Sequence, residues 1–373
     1  MSFYVDLGLE PIVNAATTLT SLGGSIMPTE VRDAMMEAAD SFVDMHELHL
    51  AAGKHLAELT HNEAAYVTSG CAAALVLAIL GIRTGGDPSV LTSLPGHSRA
   101  RHEVIMHRAH RMPYDLAVGL AGGTIREIGN MYQTFDWELE GAITERTAAV
   151  LYVVDSCYPQ VALSLENVVQ IAHSRGVPVI VDAAAQLPPM ENFWKFTREM
   201  GADIAVFSGG KALYGPQASG LMVGRIDLIE AARQNGAPYQ RWARAMKVGK
   251  EEIAGLVAAV RRFVALDHEQ IYRGWMLVVE TWCEAFSGIP GVTAAVDPLN
   301  SAGQLVPRLH LGIADSERAR LTLDRIAAAR PRVTVLPDEA NGQARGLWLS
   351  ADLLRDGEAK IVQEIVLEAV VAV

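Results

Sequence analysis

One lysine stands in a setting that is unusual for a solvated surface lysine. Lys211 follows Ser208, Gly209 and Gly210, and the segment around it is apolar and rich in glycine. Glycine allows the backbone to approach a ligand closely. A desolvated amine loses proton affinity and becomes a nucleophile that can form an imine with an aldehyde. The alternative is a loop lysine beside a turn, and this segment alone leaves both interpretations open.

A carboxylate stands at the end of an apolar run earlier in the chain. Asp182 directly follows Val177–Val181, and a carboxylate at the end of a buried strand needs a partner. One interpretation is a capping residue for the next segment. The other is a counter-ion for a protonated pyridine nitrogen, which would keep the ring able to accept electrons from a substrate carbanion.

A third feature is the turn Thr68-Ser69-Gly70-Cys71, which lies between a predicted strand and a predicted helix. The start of a helix offers unpaired N–H groups and the positive end of the helix dipole, which suits a phosphate. The alternative is an N-cap serine with no ligand. Together the three features predict one site that binds a phosphate, a ring nitrogen and an aldehyde carbon. They indicate pyridoxal 5'-phosphate attached to Lys211.

A parallel sheet is predicted to position these residues. Ala148–Val154, Val177–Val181 and Ile204–Phe207 are apolar runs, as expected for strands that are covered on both faces, and predicted helices separate them. Such a pattern specifies right-handed crossovers, with ligands bound beyond the carboxyl ends of the strands. Further strands are predicted at Ala64–Val67, Ser89–Leu91, Glu103–Met106, Gly123–Ile128 and Leu221–Val223, and helices at Met27–Met45, Cys71–Gly81, Leu165–Arg175, Phe193–Met200 and Ile253–His268.

The last part of the chain alternates differently and predicts a small α+β domain. Its predicted strands are Gly291–Val296, Leu309–Leu311, Val333–Leu336 and Gly346–Leu349, and its predicted helices are Ser316–Ala329 and Glu358–Val371. The expected organisation is an N-terminal arm and helix in residues 1–50, a large cofactor-binding domain in 51–265 and a small domain in 266–373.

The composition excludes several classes of function. Half of the 373 residues are hydrophobic and the formal net charge is -12, which opposes nucleic-acid binding. Cys71, Cys157 and Cys283 have no metal-ligand spacing, so neither a metal site nor a disulfide framework is expected. The N-terminus lacks a signal pattern, and the apolar runs are too short to span a membrane. A cytoplasmic protein is predicted.

Six segments of the chain resemble segments of a known enzyme family. The segments that carry the resemblance are Val13–Thr17, Val67–Gly70, Val181–Ala184, Phe207–Lys211, Gly215–Gln217 and Met246–Glu252. Their order resembles the fold-type I pyridoxal phosphate enzymes, which have the aspartate aminotransferase-like fold. More narrowly, the chain resembles the branch that contains selenocysteine synthase and D-glucosaminate-6-phosphate ammonia lyase, from about Ile12 to Phe263.

The resemblance implies a role for each matching residue. Lys211 would carry the cofactor as a Schiff base, and Asp182 would pair with its pyridine nitrogen. The phosphate would be held by Ser69, Gly70, Cys71 and Ser208. The branch usually has a small residue such as alanine where this chain has Cys71, and backbone contacts to the phosphate would survive that change.

In this superfamily an aromatic ring covers the cofactor, and His110 is the candidate for that position here. A catalytic role is expected of His110 as well, and His102 and His107 are the alternatives. Asp155 and Gln160 follow a predicted strand and are candidates for contact with cofactor or substrate. Arg308 and Arg345 are candidates for a substrate carboxylate, because a guanidinium binds it with two hydrogen bonds. Asn14 belongs to a segment, 14–25, that the resemblance places at a neighbouring subunit's site.

The predicted reaction is α,β-elimination on a small hydroxy-amino acid or aminosugar acid, with release of a keto acid and ammonia. Lys211 would act as general base. A racemase or epimerase is the first alternative and would need a second acid such as His110 or Tyr214. Transamination fits the branch less well. Selenium transfer also fits less well, because that enzyme binds tRNA through an extra N-terminal domain, whereas this acidic chain starts close to its core.

A cofactor-free binding protein on the same scaffold is the non-enzymatic alternative. The presence of Asp182, Lys211 and the phosphate turn argues against it. The expected partners are a small amino-acid-like substrate and further copies of the chain, since enzymes of this fold type are usually dimers or larger. Neither a nucleic acid nor a membrane is expected as a partner.

Overall fold

The structure, a computed structural model, describes residues 3–91, 101–154 and 160–372. Its helices are α1 Phe3–Asp6, α2 Thr29–Ala39, α3 Met45–Leu59, α4 Cys71–Thr84, α5 Pro88–Leu91, α6 Leu116–Leu120, α7 Asp136–Ala142, α8 Leu165–Ser174, α9 Asn192–Trp194, α10 Ile226–Asn235, α11 Lys250–Ala265, α12 His268–Phe286, α13 Ser316–Ala328 and α14 Glu358–Val371. Its strands are β1 Ile12–Asn14, β2 Ala64–Thr68, β3 Glu103–His107, β4 Thr124–Ile128, β5 Thr147–Val153, β6 Val179–Asp182, β7 Ile204–Ser208, β8 Gly220–Gly224, β9 Val292–Asp297, β10 Arg308–Ile313, β11 Arg332–Thr334, β12 Leu336–Ala340 and β13 Gln343–Ser350.

The chain divides into two compact units. One unit is Ser25–Leu266, and the other combines Met1–Gly24 with Asp267–Val373. The three-part division expected from the sequence, with boundaries at residues 50 and 265, stays a prediction.

A seven-stranded sheet, counted over the described residues, forms the centre of the larger unit. The strand order is β2-β8-β7-β6-β5-β3-β4. All neighbours from β7 to β4 are parallel, whereas β8 runs antiparallel to both β7 and β2. The mainly parallel sheet predicted from the sequence is therefore confirmed.

The strands at the middle of this sheet are buried on both faces. In β5, Val150 packs in one hydrophobic cluster and Leu151 in another, because successive side chains of a strand point to opposite faces. The first cluster includes residues of α3, α8 and α11, and the second includes residues of α4 and α10. The continuous apolar runs are thus explained by helices that cover both faces.

The structure overturns two of the predicted elements and adds a helix that was not predicted. Ser89–Leu91 is not a strand but the end of α5, where Ser89 donates from its N–H and its hydroxyl to Asp87 Oδ1, each at 2.8 Å. The single helix predicted from Met27 to Met45 is two helices, since α2 ends at Ala39 and Asp44 caps α3. The 19-residue α12 was missed; its N-cap, Asp267, accepts a hydrogen bond from the N–H of Gln270 at 2.9 Å.

The smaller unit has an antiparallel sheet in the order β12-β13-β10-β9 and a parallel pair of β1 with β11. Helices α12, α13 and α14 contribute to its core. Trp282 lies at the centre of this core, and its indole N–H donates to the carbonyl of Ala359 at 3.1 Å. The strand predicted at Val333–Leu336 is two strands, β11 and β12.

The described residues contain neither a candidate transmembrane helix nor a candidate metal-binding cluster. Among them, no helix combines the length and the apolar character needed to cross a membrane. In the same ranges, no cluster of three or more His, Cys, Asp or Glu side chains could hold a metal ion.

Candidate active site

The candidate residues meet at the carboxyl edge of the seven-stranded sheet. Asp182 is the last residue of β6, and Ser208 is the last residue of the adjacent β7. Ser69 follows the last residue of β2, and Lys211 lies in the loop after β7. This is the edge at which open α/β sheets bind ligands.

The turn between β2 and α4 presents the start of a helix. Gly70 occupies the N-cap position with φ 113° and without a side-chain cap. Thr68 Oγ1 donates to the carbonyl of Gly70 at 2.9 Å. Because the first N–H groups of a helix have no partner within it, those at the start of the 14-residue α4 are available to an anion.

The hydroxyl of Ser69 does not cap the helix. It donates to the carbonyl of Met246 at 3.0 Å. The interpretation of Ser69 as an N-cap serine is therefore wrong. To bind a phosphate, this hydroxyl would turn its hydrogen from Met246 to the ligand, since a phosphate dianion accepts hydrogen bonds.

A glycine on the neighbouring strand lets the turn pack closely. A Cβ at Gly220, the first residue of β8, would lie 2.6 Å from the carbonyl carbon of Gly70 and 2.8 Å from the nitrogen of Cys71. Real Cβ atoms do not approach backbone so closely. Sequence reasoning missed Gly220, although a glycine in a strand often marks such a close approach.

Asp182 has one engaged and one available oxygen. Its Oδ1 accepts from the N–H of Ala184 at 3.0 Å and lies 3.9 Å from Cys71 Sγ. Its Oδ2 has no hydrogen-bond partner among the described residues, although the residue is only 7% exposed. A carboxylate in a largely buried residue gains from each hydrogen-bond donor that it finds. A protonated pyridine nitrogen would supply that donor, so this residue fits the cofactor.

Opposing effects act on the pKa of Asp182. Burial has the largest effect and leaves the pKa of this carboxyl above its usual value. The N–H of Ala184, the charge of Lys211 and the thiol of Cys71 oppose it, in decreasing order of effect. The pKa of the Cys71 thiol is raised well above its usual value by burial and then by the charge of Asp182. Cys71 therefore stays a neutral thiol beside the carboxylate at neutral pH.

The loop that carries Lys211 is held by backbone hydrogen bonds. The N–H of Gly209 donates to the carbonyl of Ser219 at 3.0 Å, and the N–H of Gly215 donates to the carbonyl of Gly209 at 2.8 Å. The N–H of Tyr214 donates to the carbonyl of Lys211 at 2.9 Å, with Tyr214 in the left-handed region at φ 55°. These bonds fix the backbone on both sides of the lysine.

Ser208, the fourth predicted phosphate ligand, is anchored only through its backbone. Its N–H donates to the carbonyl of Ala184 at 3.3 Å. Within the described ranges its hydroxyl makes no hydrogen bond, so it is available to a ligand at this edge.

His110 lies in a short turn after β3, at the same edge. Its Nδ1 accepts from the N–H of Val153 at 3.4 Å, so the neutral ring carries its proton on Nε2. The ring packs edge-on against Tyr152, with centroids 4.6 Å apart and planes at 78°. The hydrogen bond and the ring contact thus fix the orientation of the His110 ring next to the end of β5.

The two rival histidines are placed less well. The ring of His107 is fully buried, and its Nε2 accepts from the N–H of Leu163 at 3.3 Å. Burial, followed by the charge of His110, lowers the pKa of His107 to about 3. His102 precedes β3 and lies at the opposite end of that strand. The structure therefore favours His110 among the three.

The predicted substrate-binding residues are not gathered at this edge by described contacts. Gln160 is exposed. Asn14 is in the smaller unit, where its Nδ2 donates to the carbonyl of Thr17 and its Oδ1 accepts from the N–H of Ala16, each at 3.0 Å. Asp155 lies outside the described residues. The roles of these residues stay predictions.

The two arginine candidates, also in the smaller unit, already have acidic partners. Arg308 Nη2 lies 3.0 Å from Asp297 Oδ2, and its guanidinium stacks on the ring of Trp348 at 3.8 Å. Arg345 pairs with Asp338 at 3.3 Å. A substrate carboxylate would have to share either guanidinium with these partners.

A sheet edge that combines a helix start, a buried aspartate and a lysine loop defines a fold-type I pyridoxal phosphate enzyme. A family model described as SelA, L-seryl-tRNA selenium transferase, matches residues 12–278. The chain belongs to this family, and its cofactor is pyridoxal phosphate.

Two relatives are similar over most of their length. The D-glucosaminate-6-phosphate ammonia lyase of Salmonella typhimurium is 34% identical over 85% of this chain and 83% of its own. The 5'-C-glycyluridine monooxygenase-decarboxylase of a Streptomyces species is 33% identical over 96% of this chain and 86% of its own. An L-seryl-tRNA(Sec) selenium transferase of Alkaliphilus metalliredigens is 28% identical over 71% of this chain and 58% of its own.

Solved structures agree with these relationships. The structure of a D-glucosaminate-6-phosphate ammonia-lyase superposes with a TM-score of 0.83 at 30% identity, and covers 99% of this chain and 98% of that one. A serine palmitoyltransferase of Sphingomonas wittichii, 16% identical, gives a TM-score of 0.62 over 96% of this chain and 87% of its own, which concerns the fold alone. The resemblance, fold class and cofactor predicted from the sequence are confirmed, and the ammonia lyase comparisons support the predicted enzyme class.

Proposed function

We propose that the protein is a pyridoxal phosphate-dependent lyase that eliminates water from a small hydroxy-amino acid or aminosugar acid. The substrate loses its α-hydrogen and its β-hydroxyl as water. Hydrolysis of the released enamine then gives a keto acid and ammonia.

The observation that carries this proposal is the likeness to the ammonia lyase structure over 99% of this chain. The site residues alone would suit several reactions of the same cofactor, because a lysine and an aspartate are common to them. A likeness that extends through both units also includes the parts of the chain outside the cofactor site.

The phosphate of the cofactor would be held at the start of α4. The N–H groups of the first helical turn and the hydroxyl of Ser208 are the donors that face no described acceptor. The hydroxyl of Ser69 would join them by turning from Met246. Gly70 would contribute only its backbone, and its φ of 113° is a conformation that glycine adopts without strain.

Asp182 would hold the ring nitrogen in its protonated form through Oδ2, because Oδ1 is already occupied by Ala184. When bound in this way, the cofactor supplies an electron sink for the carbanion formed at the substrate's α-carbon. Lys211 would bind the cofactor's aldehyde carbon covalently. Once displaced by the substrate's amino group, its free amine would remove the α-proton as general base.

His110 would lie against the cofactor ring. The N–H of Val153 donates to its Nδ1, so this nitrogen is not available to a ligand. A proton on both nitrogens would direct Nδ1–H against the Val153 N–H. We therefore assign His110 a stacking role. A racemase would require it, or Tyr214, to deliver a proton to the opposite face of the α-carbon.

The first experiment is the visible absorbance spectrum of the purified protein, followed by borohydride reduction and peptide mass mapping. A yellow protein with the adduct on the Lys211 peptide is expected. Hydroxy-amino acids and aminosugar acids, with and without a phosphate group, are then screened for release of ammonia and keto acid. A colourless protein, or an adduct on another lysine, contradicts the cofactor site. Exchange of α-deuterium without product indicates a racemase.

A second candidate reaction is favoured by the Streptomyces relative, whose coverage of this chain is 96%. Its name describes a monooxygenase-decarboxylase that acts on 5'-C-glycyluridine. The alternative for this protein is thus an oxygen-dependent decarboxylation at the same lysine. Oxygen consumption and release of carbon dioxide, measured with the same substrates, separate this reaction from elimination, which consumes no oxygen.

The cellular setting belongs to the same proposal. We infer a cytoplasmic enzyme that assembles as a homo-oligomer and acts on a small molecule rather than on nucleic acid. The net charge of -12 supports the last point. Analytical ultracentrifugation at several concentrations tests the assembly, and a single monomeric species would contradict it.

A further inference from the structure

The peptide group that precedes Lys211 receives two hydrogen bonds from one distant residue. The N–H of Ser25 donates to the carbonyl of Gly210 at 3.0 Å, and the hydroxyl of Ser25 donates to the same carbonyl at 3.0 Å. Both residues belong to the larger unit. Two donors satisfy both lone pairs of the carbonyl oxygen, which fixes its direction.

The hydroxyl of Ser25 is not needed to start the next helix. Helix α2 begins at Thr29, its N-cap is Pro28, and no side chain caps it. The contact of Ser25 with the lysine loop is therefore not a by-product of helix capping.

The direction of the Gly210 carbonyl fixes the plane of the peptide bond that leads into Lys211. Because the peptide bond is planar, this carbonyl and the nitrogen of Lys211 turn as one rigid group. Gly210 cannot be braced by a side chain of its own, since a Cβ there would lie 2.6 Å from the Cα of Gln217. The carbonyls on either side, of Gly209 and Lys211, accept from within the loop. Among the described residues, Ser25 is the one distant residue that donates to this carbonyl.

We propose that Ser25 is a positioning residue that holds Lys211 for reaction with the cofactor. The inference rests on the proposed function, in which the Lys211 amine bonds to the aldehyde carbon and the aldehyde oxygen leaves as water. A fixed peptide plane limits the directions that the lysine side chain samples, and such limits accelerate bond formation. Loss of the hydroxyl leaves one of the two donors, so it loosens the lysine without removing it.

Substitutions of matched shape test this role. Ser25→Thr keeps the hydroxyl, and Ser25→Val replaces it with a side chain of the same shape as threonine but without a hydroxyl. Ser25→Ala removes the hydroxyl without adding bulk. Each cofactor-free protein is mixed with pyridoxal phosphate, and covalent attachment is followed by absorbance and by borohydride trapping on the Lys211 peptide. Loss of one hydrogen bond should slow attachment about fivefold in the Val and Ala variants. The Thr variant should stay within about twofold of the parent, a change smaller than one hydrogen bond would give.

A control and a stability measurement separate positioning from folding. Ser41→Ala changes an exposed serine of the same unit that makes no described side-chain hydrogen bond, and it should attach the cofactor at the parental rate. Urea unfolding reports any loss of stability. If the Val and Ala variants attach the cofactor as fast as the control, the role of Ser25 is refuted. If they attach it slowly but unfold as the parent does, the role is supported. A parent protein that is not labelled on Lys211 refutes the proposed function itself.

Discussion

Two buried aspartates lie at opposite edges of the same sheet. Asp182 ends β6 at the carboxyl edge, and Asp203 immediately precedes β7 at the amino edge. Their side chains are similarly enclosed, with 7% and 1% of each residue exposed. They differ in how their oxygens are satisfied.

Every oxygen of the Asp203 carboxylate has a partner. Oδ2 accepts from the N–H of Val179 at 2.7 Å and lies 2.8 Å from His173 Nε2. Oδ1 accepts from Arg225 Nη1 at 2.7 Å. This carboxylate joins neighbouring strands and a helix start, and it has no oxygen left for a ligand.

Asp182 instead keeps Oδ2 without a described donor and has Lys211 nearby. The difference teaches that burial alone does not mark a functional carboxylate. A saturated carboxylate contributes to folding, whereas a carboxylate in a buried residue that keeps one oxygen without a donor indicates a position that a ligand completes.

The largest expected effect follows from Asp182→Asn. An amide cannot hold the ring nitrogen in its protonated form, so kcat should fall about a hundredfold or more, the size of effect seen when a catalytic electrostatic contact is lost. Stability of the cofactor-free protein should be unchanged or higher, since a buried charge is removed. Steady-state kinetics and urea unfolding check the two expectations.

The opposite pattern is expected for Asp203→Asn. Loss of the charge weakens the hydrogen bonds to Val179, His173 and Arg225. The free energy of unfolding should fall by about 2 kcal/mol. This value is discounted because the His173 and Arg225 side chains are partly exposed. Activity per folded molecule should be retained. If instead Asp203→Asn abolished catalysis in a stable protein, the contrast between the two aspartates would be wrong.

His49 tests whether every unpartnered buried group marks a ligand site. It is 3% exposed, neither ring nitrogen has a described partner, and burial lowers its pKa to about 4. The unfolded chain binds a proton near pH 6.5, whereas the folded state does so only near pH 4. The contribution of neutral His49 to the free energy of unfolding is therefore complete above pH 6.5 and is lost as the pH falls from 6.5 towards 4.

At pH 5 the expected loss is about 2 kcal/mol relative to pH 7.5. His49→Leu should flatten this acid dependence of urea unfolding and leave catalysis unchanged, whereas a steep dependence that persists in the variant would assign it to other groups. His107, whose pKa is lowered to about 3, adds to the same slope and provides a second variant.

The smallest effect is expected at Cys71, which lies beside Asp182. Its raised pKa makes it a slow nucleophile at pH 8, because the thiolate is the reactive form. Asp182→Asn removes the neighbouring negative charge and should speed alkylation of Cys71 about threefold. Cys283, in the other unit, is the internal control for the same reagent. An unchanged rate at Cys71 would mean that the two groups do not interact.

Much of the sheet could be predicted, because its central strands are continuous apolar runs. Ala148–Val154 and Val177–Val181 correspond to β5 and β6 within two residues at each end. The start of α3 was missed although Asp44 and Glu47 form a recognisable capping pattern with the helix start. Apolar spacing across the break had suggested one continuous helix.

The site was predictable only in part. Asp182 and Lys211 could be placed because each follows an apolar strand, so chain order brings them to one edge. Ser25 and Gly220 could not, because their contacts with Gly210 and Gly70 join segments far apart in the chain. Such contacts depend on the packed backbone, which periodicity does not report.

The lysine loop connects two antiparallel neighbours, since Ser208 at its start pairs with Gly220 at its end. Pairing of β7 with β8 therefore brings the two ends of the loop together. The entropy of closing a loop is lost once, during folding. Cofactor binding then needs little further ordering of this segment, so its affinity is not reduced by the cost of organising the chain around Lys211.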